Sequence, residues 1–220
     1  MVARAVIKWP DPRLLKKSAD VDPTSKDTHD LALDLYHTMV ASFGAGIAAS
    51  QIGVHKNVCL VSCHYAPSLP AEEKLSNAGR CVALVNPKLT VIGNEKFKWE
   101  ESCLSVPDIT SLIDRDQKVS LKYYNLSGDL IEKVLEGTES ATLQHETDHL
   151  IGKLFIHRLT GATRRVTLRK LRRKILKQKK TIAAEKKEAK SGSSSLSEER
   201  RQILRSKRRK KRKKHSKNKR

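Results

Sequence analysis

Two histidines four residues apart, His145 and His149, flank a glutamate in the segment HETDH. If this segment is helical, both imidazoles project from one face of the helix, where a single cation can bind both of them. Glu146 then lies beside the cation without binding it. A carboxylate there can accept a proton from water, whose pKa a zinc ion lowers to about 7. The pattern predicts hydrolysis at a metal site.

A third ligand is needed, because HExxH segments also occur by chance on surface helices. In the metzincins it is a histidine six residues after the second histidine of HExxHxxGxxH. Gly152 fits that spacing here, but Phe155 occupies the ligand position and His157 is two residues too far along the chain. A thermolysin-like metalloprotease would instead use a downstream carboxylate. The better candidate is Cys103, in the segment EESCLSVP.

Three separate segments resemble the signatures of the peptide deformylase family. The family's GxGLAAxQ loop is matched by GAGIAASQ at residues 44–51, its EGCLS segment by ESCLS at 101–105, and its QHExDH helix by QHETDH at 144–149. Segments PDPRL at 10–14 and GKLF at 152–155 extend the match, so that the resemblance covers about residues 5–160. The sequence is identified as a member of this family.

The resemblance implies a metal-dependent hydrolase that removes the formyl group from the N-terminal methionine of nascent polypeptides and releases formate. It assigns Cys103, His145 and His149 as metal ligands and Glu146 as the general base. Three ligands leave a fourth tetrahedral position open for water, as in catalytic zinc sites. One divalent ion is expected. Fe²⁺ is the usual ion of the family, and Zn²⁺, Ni²⁺ and Co²⁺ are alternatives, because a cysteine and two histidines suit several metals.

The resemblance also assigns the residues that contact the substrate. The Gln51 side chain and the backbone N–H of Leu104 are implied as donors to the developing oxyanion. Gly44 and Gly46 are implied to let the substrate backbone approach and pair as an added strand. The alternative for both glycines is an ordinary role in a turn.

Two segments depart from the family pattern. Ser102 stands where the signature has glycine, and its Cβ would strain the backbone if φ there is positive. Residues 108–110, Asp-Ile-Thr, follow the CLSxP run, where family members often carry arginine or glycine. Gln144 and Asp148 are interpreted as residues that steady the ligands and the helix, with a surface role as the alternative for Asp148.

The elements that position these residues are predicted to form an α+β fold, with antiparallel sheets packed around a central HExxH helix. Leu31, Leu35 and Met39 recur at helical spacing after the start signal Thr24-Ser25. The glycine-rich stretch that follows is predicted to be a loop. We expect helices over 25–42 and 137–151, strands over 58–62, 82–85, 89–92, 118–124 and 130–134, and a turn over 125–128.

The charge of the chain lies at its C-terminal end. Residues 161–220 hold 27 of the 45 Lys+Arg and 4 of the 24 Asp+Glu, while residues 1–160 come to a net −2. We predict a catalytic domain over 1–160, a basic amphipathic helix over 161–190 and a disordered polybasic tail over 191–220. The expected partner is the ribosome, through its RNA; a solubilising or nuclear-localisation-like tail is the alternative. A further alternative is an RNA- or ribosome-binding protein in which the tail holds the function and the deformylase-like domain is a catalytically inactive scaffold.

The sequence carries no run of 18 apolar residues and no signal-peptide pattern. We therefore expect a protein without membrane contact, in a bacterial-type cytoplasm or an organelle, and monomeric. The cysteines are expected to be thiols or metal ligands. Cys59, Cys63 and His64 weakly suggest a second metal site. The favoured alternative is that Cys59 is an ordinary buried residue of a strand.

Overall fold

The computed structural model describes residues 3–70, 81–177 and 179–185. Its contacts divide the chain into two units, Met1–Thr167 and Leu168–Arg220. The first unit is α+β with antiparallel sheets, which confirms the predicted fold class. Its helices are α1 (Lys26–Ala41), α2 (Gly137–Leu150) and α3 (Phe155–Arg158), and its strands are β1 (Gly46–Ala48), β2 (Val58–Ser62), β3 (Cys81–Val91), β4 (Lys96–Cys103), β5 (Val106–Asp116), β6 (Lys118–Tyr124) and β7 (Leu130–Glu136).

Five strands form one antiparallel sheet in the order β1-β2-β3-β6-β7, with β1 at an edge. Side chains alternate between the two faces of each strand. In β2, Leu60 packs in a cluster with Leu35 of α1, whereas Val61 packs in a second cluster with Leu143 of α2. Helix α1 therefore covers one face of the sheet and α2 covers the other.

The helix predicted over 25–42 is confirmed as α1, and Ser25 is its N-cap, accepting a hydrogen bond from the backbone N–H of Thr28. The helix predicted over 137–151 is α2, which ends at Leu150. The turn predicted over 125–128 closes with a hydrogen bond from Gly128 N–H to Asn125 O (3.1 Å).

Two predictions about the sheet are wrong. The strands predicted over 82–85 and 89–92 are one strand, β3, with an irregular register between Val85 and Lys88. Asn86, at φ 53°, makes that bulge, and its side-chain amide bonds both backbone groups of Val21. The predicted glycine-rich loop contains strand β1 and a 3-10 helix, Ala49–Ile52.

A second, two-stranded sheet, β4-β5, was not predicted from the sequence. Its strands carry the charges of an exposed ribbon, such as the Lys98–Asp114 ion pair, and only Trp99 and Phe97 alternate as apolar residues. Such a pattern gives a weak strand signal. This ribbon matters because β4 ends at Cys103.

The C-terminal part is helical over residues 161–177 and 179–185. The basic helix predicted over 161–190 falls partly in this range, and its remainder, with the tail predicted over 191–220, lies outside the described residues. The first unit extends to Thr167, beyond the predicted boundary at 160. No helix among the described residues is long and apolar enough to cross a bilayer.

Candidate active site

Cys103, at the end of β4, meets His145 and His149 of α2. One ligand atom from each of the three residues lies within 4.8 Å of the others, and Cys103 Sγ is 3.3 Å from His149 Nε2. The two imidazoles, one helical turn apart, stand edge to face with centroids 5.0 Å apart. Within residues 3–70, 81–177 and 179–185 this is the one His, Cys and carboxylate group arranged to hold a metal ion.

The Cys103 thiol is prepared to act as a ligand. Burial alone would raise its pKa, but the adjacent imidazoles of His149 and His145 outweigh that effect and hold the pKa well below the usual value. The backbone N–H of Ser105 also lies 3.4 Å from the sulfur. A thiolate is the form that binds metal ions.

Glu101 fixes the orientation of His145. Glu101 Oε2 lies 2.6 Å from His145 Nδ1, which leaves Nε2 of the ring for a cation. The Arg115 guanidinium donates to both oxygens of Glu101 and, through Nη1, to Asp148 Oδ2 (2.8 Å). Arg158 completes the pairing of Asp148 from the other side. These buried ion pairs hold β5 and α2 in register around the ligands.

The carboxylates of this network stay ionised. Burial alone would raise the pKa of Asp148, but Arg158 and Arg115 hold it below its usual value. Arg115 is fully buried, and sequence reasoning missed it together with Glu101 as an orienting residue. The sequence signal for Arg115 was weak, because it is the lone arginine of a strand whose apolar residues alternate only in part. Gln144 has a related role, because its amide bonds the backbone of Asp116 on β5.

Glu146 lies beside the three ligands and is 5% exposed. Its Oε2 has no hydrogen-bond partner, and burial raises its pKa above the ordinary value. A Cβ placed on Gly46 would lie 2.5 Å from Glu146 Oε1. Glycine at position 46 therefore lets the carboxylate occupy this place, which any larger residue would force it to leave.

Gln51 follows β1 and presents its amide to the same site. Its Oε1 accepts from the backbone N–H of Ala48 (2.9 Å), so Nε2 is left to donate. That nitrogen lies 3.2 Å from Ser105 Oγ and 3.6 Å from Cys103 Sγ. Ser105 is fully buried, and sequence reasoning missed it. Two loops distant in sequence thus meet through one amide group.

A cavity of about 290 Å³ opens in front of these groups. Ser102 lines it and is exposed, and it is not among the residues with positive φ, so the serine fits where the family signature has glycine. Leu104 also lines it, and a Cβ on Gly44 would lie 3.0 Å from the Leu104 side chain. The other predicted site residues on its wall are Gly46, Gln51, Cys103, His145 and Glu146.

The residues that suggested other metal sites lie elsewhere or have other contacts. Phe155, at the metzincin ligand position, is buried and stacks on the His145 ring. His157 accepts a hydrogen bond from the backbone N–H of Leu154. Cys59 is buried in β2, and burial raises its thiol pKa well above the usual value. The Cys59–Cys63–His64 suggestion finds no support in the described part of the chain.

The three ligand atoms, the low thiol pKa and an unpartnered carboxylate beside them fit a divalent cation with an open coordination position. A buried carboxylate that neither binds the cation nor pairs with a protein cation is what a metal hydrolase needs as a proton acceptor. The site therefore has the geometry of a metal-dependent hydrolase.

Comparison with known proteins agrees with this geometry. The family model described as Polypeptide deformylase matches residues 3–165. The peptide deformylase of Aquifex aeolicus is 34% identical over 179 residues, covering 81% of this chain and 100% of that protein. The crystal structure of peptide deformylase from Ehrlichia chaffeensis in complex with actinonin has a TM-score of 0.67 at 31% identity, covering 79% of this chain and 98% of that one. The Met-Ala-Ser bound structure from Acinetobacter baumannii has a TM-score of 0.62 at 32% identity, with coverage of 72% and 99%.

The chain belongs to the polypeptide deformylase family. It is a metal-dependent amide hydrolase, and its substrates are formyl-methionyl peptides.

Proposed function

We propose that this enzyme removes the formyl group from the initiator methionine of nascent polypeptides, with Glu146 as general base and Cys103, His145 and His149 as the metal ligands. The observation that carries the proposal is the buried Glu146 Oε2 without a partner beside the Cys-His-His cluster. A catalytically silent scaffold would have no reason to keep an unpaired buried carboxylate, which is costly.

Cys103, His145 and His149 would hold a divalent cation, which would supply a Lewis acid and lower the pKa of water toward neutral pH. Glu146 accepts the proton of the attacking water as the C–O bond to the formyl carbon forms. It then delivers that proton to the amide nitrogen as the C–N bond breaks, so that one water yields formate and a free amine. Burial raises the pKa of Glu146 above its ordinary value, which makes this carboxylate a better proton acceptor than an exposed one.

Gln51 and Leu104 are proposed as oxyanion donors. The Gln51 carboxamide is oriented by Ala48 N–H, which leaves its Nε2 to donate, and Gln51 and Leu104 both line the cavity. An N–H group that is fixed before the reaction stabilises the developing charge without reorganisation, and one such donor is worth about 3 kcal/mol. The family resemblance assigns the Leu104 contact to its backbone N–H.

The substrate backbone is proposed to add to the free edge of β1. Within the part of the chain that the structure describes, strand β1 pairs only with β2, with Gly46 opposite Val61, and Gly46 also lines the cavity. A peptide bound there would gain main-chain hydrogen bonds without dependence on sequence, as an enzyme acting on most new proteins requires. Gly44 and Gly46 would permit that close approach.

Fe²⁺ is the proposed physiological ion, with Zn²⁺, Ni²⁺ and Co²⁺ as ions that the same donors accept. The test is formate release from formyl-Met-Ala-Ser combined with metal analysis of the same preparation. A rival metalloprotease would cleave an unmodified peptide, such as Met-Ala-Ser, at an internal bond and release no formate. That result would contradict the proposed reaction.

The C-terminal segment is proposed to bind ribosomal RNA near the exit of nascent chains. Its support is charge and exposure, since every arginine and lysine described between residues 164 and 180 is exposed. Lys207–Lys214, an uninterrupted cationic run, would add non-specific phosphate contacts. We also propose that the protein is a monomer. It would act in a bacterial-type cytoplasm, or in an organelle whose proteins begin with formylmethionine.

A further inference from the structure

Phe43 lies at the mouth of the catalytic cavity, and the described part of the chain leaves it almost fully exposed. Its side chain is 98% exposed, and the residue lines the cavity between the end of α1 and Gly44. Large aromatic side chains usually gain stability by burial, which Phe43 does not have. Its ring is therefore free to contact a bound molecule.

The backbone at Phe43 makes the residue type more unusual. Helix α1 ends with hydrogen bonds from Gly44 N–H to Met39 O (2.9 Å) and from Phe43 N–H to Val40 O (3.1 Å). This is the Schellman arrangement, in which the residue at the Phe43 position is left-handed and is usually glycine. Phe43 has φ 53°.

The other positive-φ residues that are not glycine, within the described chain, are Asn86 and Asp108. Asparagine and aspartate adopt this conformation several times more readily than other residues, and Asn86 also bonds the Val21 backbone. A phenylalanine has neither advantage. A strained residue with no structural benefit, located at a cavity mouth, indicates a function in binding.

The direction of a substrate added to β1 follows from burial. Its formyl end must lie near Gly46, which abuts Glu146, and it cannot continue past Ile47 because that side of the strand is fully buried. The peptide therefore runs from Gly46 toward Phe43, antiparallel to the protein chain over residues 43–46. Phe43 lies in the turn three residues before Gly46 and lines the same cavity, so it is at most about 11 Å from Gly46, a span that three extended substrate residues cover.

We infer that Phe43 is a specificity-determining residue that contacts the third residue of the formyl-peptide substrate and favours an apolar side chain there. The inference rests on the proposed function and on strand addition at β1. Tyr65 and Trp99 also line the cavity, so three aromatic side chains, with Phe43, contribute to its lining. Apolar contact of this size typically changes discrimination by about tenfold.

The test compares formyl-Met-Ala-Phe with formyl-Met-Ala-Ser for the wild-type enzyme, Phe43→Gly and Phe43→Asn. Asparagine retains tolerance for positive φ while removing the ring. We expect the wild-type enzyme to have a kcat/KM about tenfold higher for the Phe peptide, mainly through KM, and both variants to lower that ratio to about one. Leu130→Ala, which removes another exposed apolar side chain at the start of β7, should keep the wild-type ratio.

Thermal unfolding separates binding from folding. Phe43→Gly should unfold no earlier than the wild-type enzyme, because glycine is the preferred residue at this helix end. A wild-type ratio near one, or an unchanged ratio in both Phe43 variants, would overturn the inference, as would a loss of several degrees in unfolding midpoint with the ratio retained. Absence of formate from both peptides with the wild-type enzyme would instead contradict the proposed function itself.

Discussion

The catalytic unit carries few arginines and the C-terminal segment many, and the two regions use them in opposite ways. Arg115 is completely buried between Glu101 and Asp148, and it fixes two elements that carry metal ligands. From residue 169 to 180, in the C-terminal segment, the described arginines and lysines are by contrast all exposed. A buried charge with two partners positions neighbouring groups, whereas exposed like charges attract a polyanion without specifying geometry. Position in the fold, and not residue type, decides the role.

The largest expected effect is at the metal ligands. His149→Ala or Cys103→Ser should lower bound metal and reduce formate release by more than about 100-fold, because even residues that only orient a ligand are worth about 10–100-fold. Metal analysis after gel filtration, with activity of the same sample, is the measurement. Full metal retention in both variants would show that the ligands lie elsewhere.

Replacing Arg115, the buried positively charged side chain, should make the catalytic unit less stable. Arg115→Met leaves Glu101 and Asp148 buried without their shared partner, and the free energy of unfolding should fall by about 3–5 kcal/mol. The matched control is Lys98→Met in the same ribbon, whose exposed pair with Asp114 is worth less than about 1 kcal/mol. Equal losses in urea unfolding would remove the distinction between buried and exposed cations.

Ser105 should act through Gln51. Ser105→Ala removes the oxygen 3.2 Å from Gln51 Nε2, and we expect kcat to fall about tenfold with metal content unchanged. Because the two residues act as a unit, Ser105→Ala should add little to the loss already caused by Gln51→Ala. Leu130→Ala, on β7 at the opposite edge of the sheet from β1, is the control and should combine additively with Gln51→Ala. If the losses in kcat caused by Ser105→Ala and Gln51→Ala simply add in the double variant, the two residues are not coupled.

The smallest effect on catalysis is expected in the C-terminal segment. Neutralising Arg169, Lys170, Arg172 and Arg173 to glutamine in the full-length chain should leave turnover of formyl-Met-Ala-Ser unchanged. It should weaken ribosome co-sedimentation and reduce its dependence on salt, by a log–log slope of about 0.7–0.9 per lost phosphate contact.

A matched control for that experiment neutralises exposed lysines of the catalytic unit. The substitutions to glutamine are at Lys16, Lys88, Lys133 and Lys153. If both sets of four substitutions change co-sedimentation equally, net charge alone determines binding, and a docking role for the C-terminal segment is wrong.

The sequence predicted the metal cluster well because HExxH spacing and a distant CLS segment are local signals. It predicted α1 through Leu31 and Leu35, whose helical spacing reflects burial on one face. It failed at the β4-β5 ribbon, where exposed charges hide the strand period, and at Asn86, where a bulge interrupts β3. Arg115 was missed because its partners come from distant segments, and only the fold brings them together.

Glu146→Ala provides the most direct test of the central claim, that a buried carboxylate beside a Cys-His-His metal site performs the proton transfers of deformylation. The measurement is formate release from formyl-Met-Ala-Ser together with metal content, for wild-type and variant enzyme purified in parallel. Because Glu146 is a base and not a ligand, metal should stay near one ion per chain while formate release falls by about 1,000-fold. Retention of most activity in the metal-loaded variant would contradict the account.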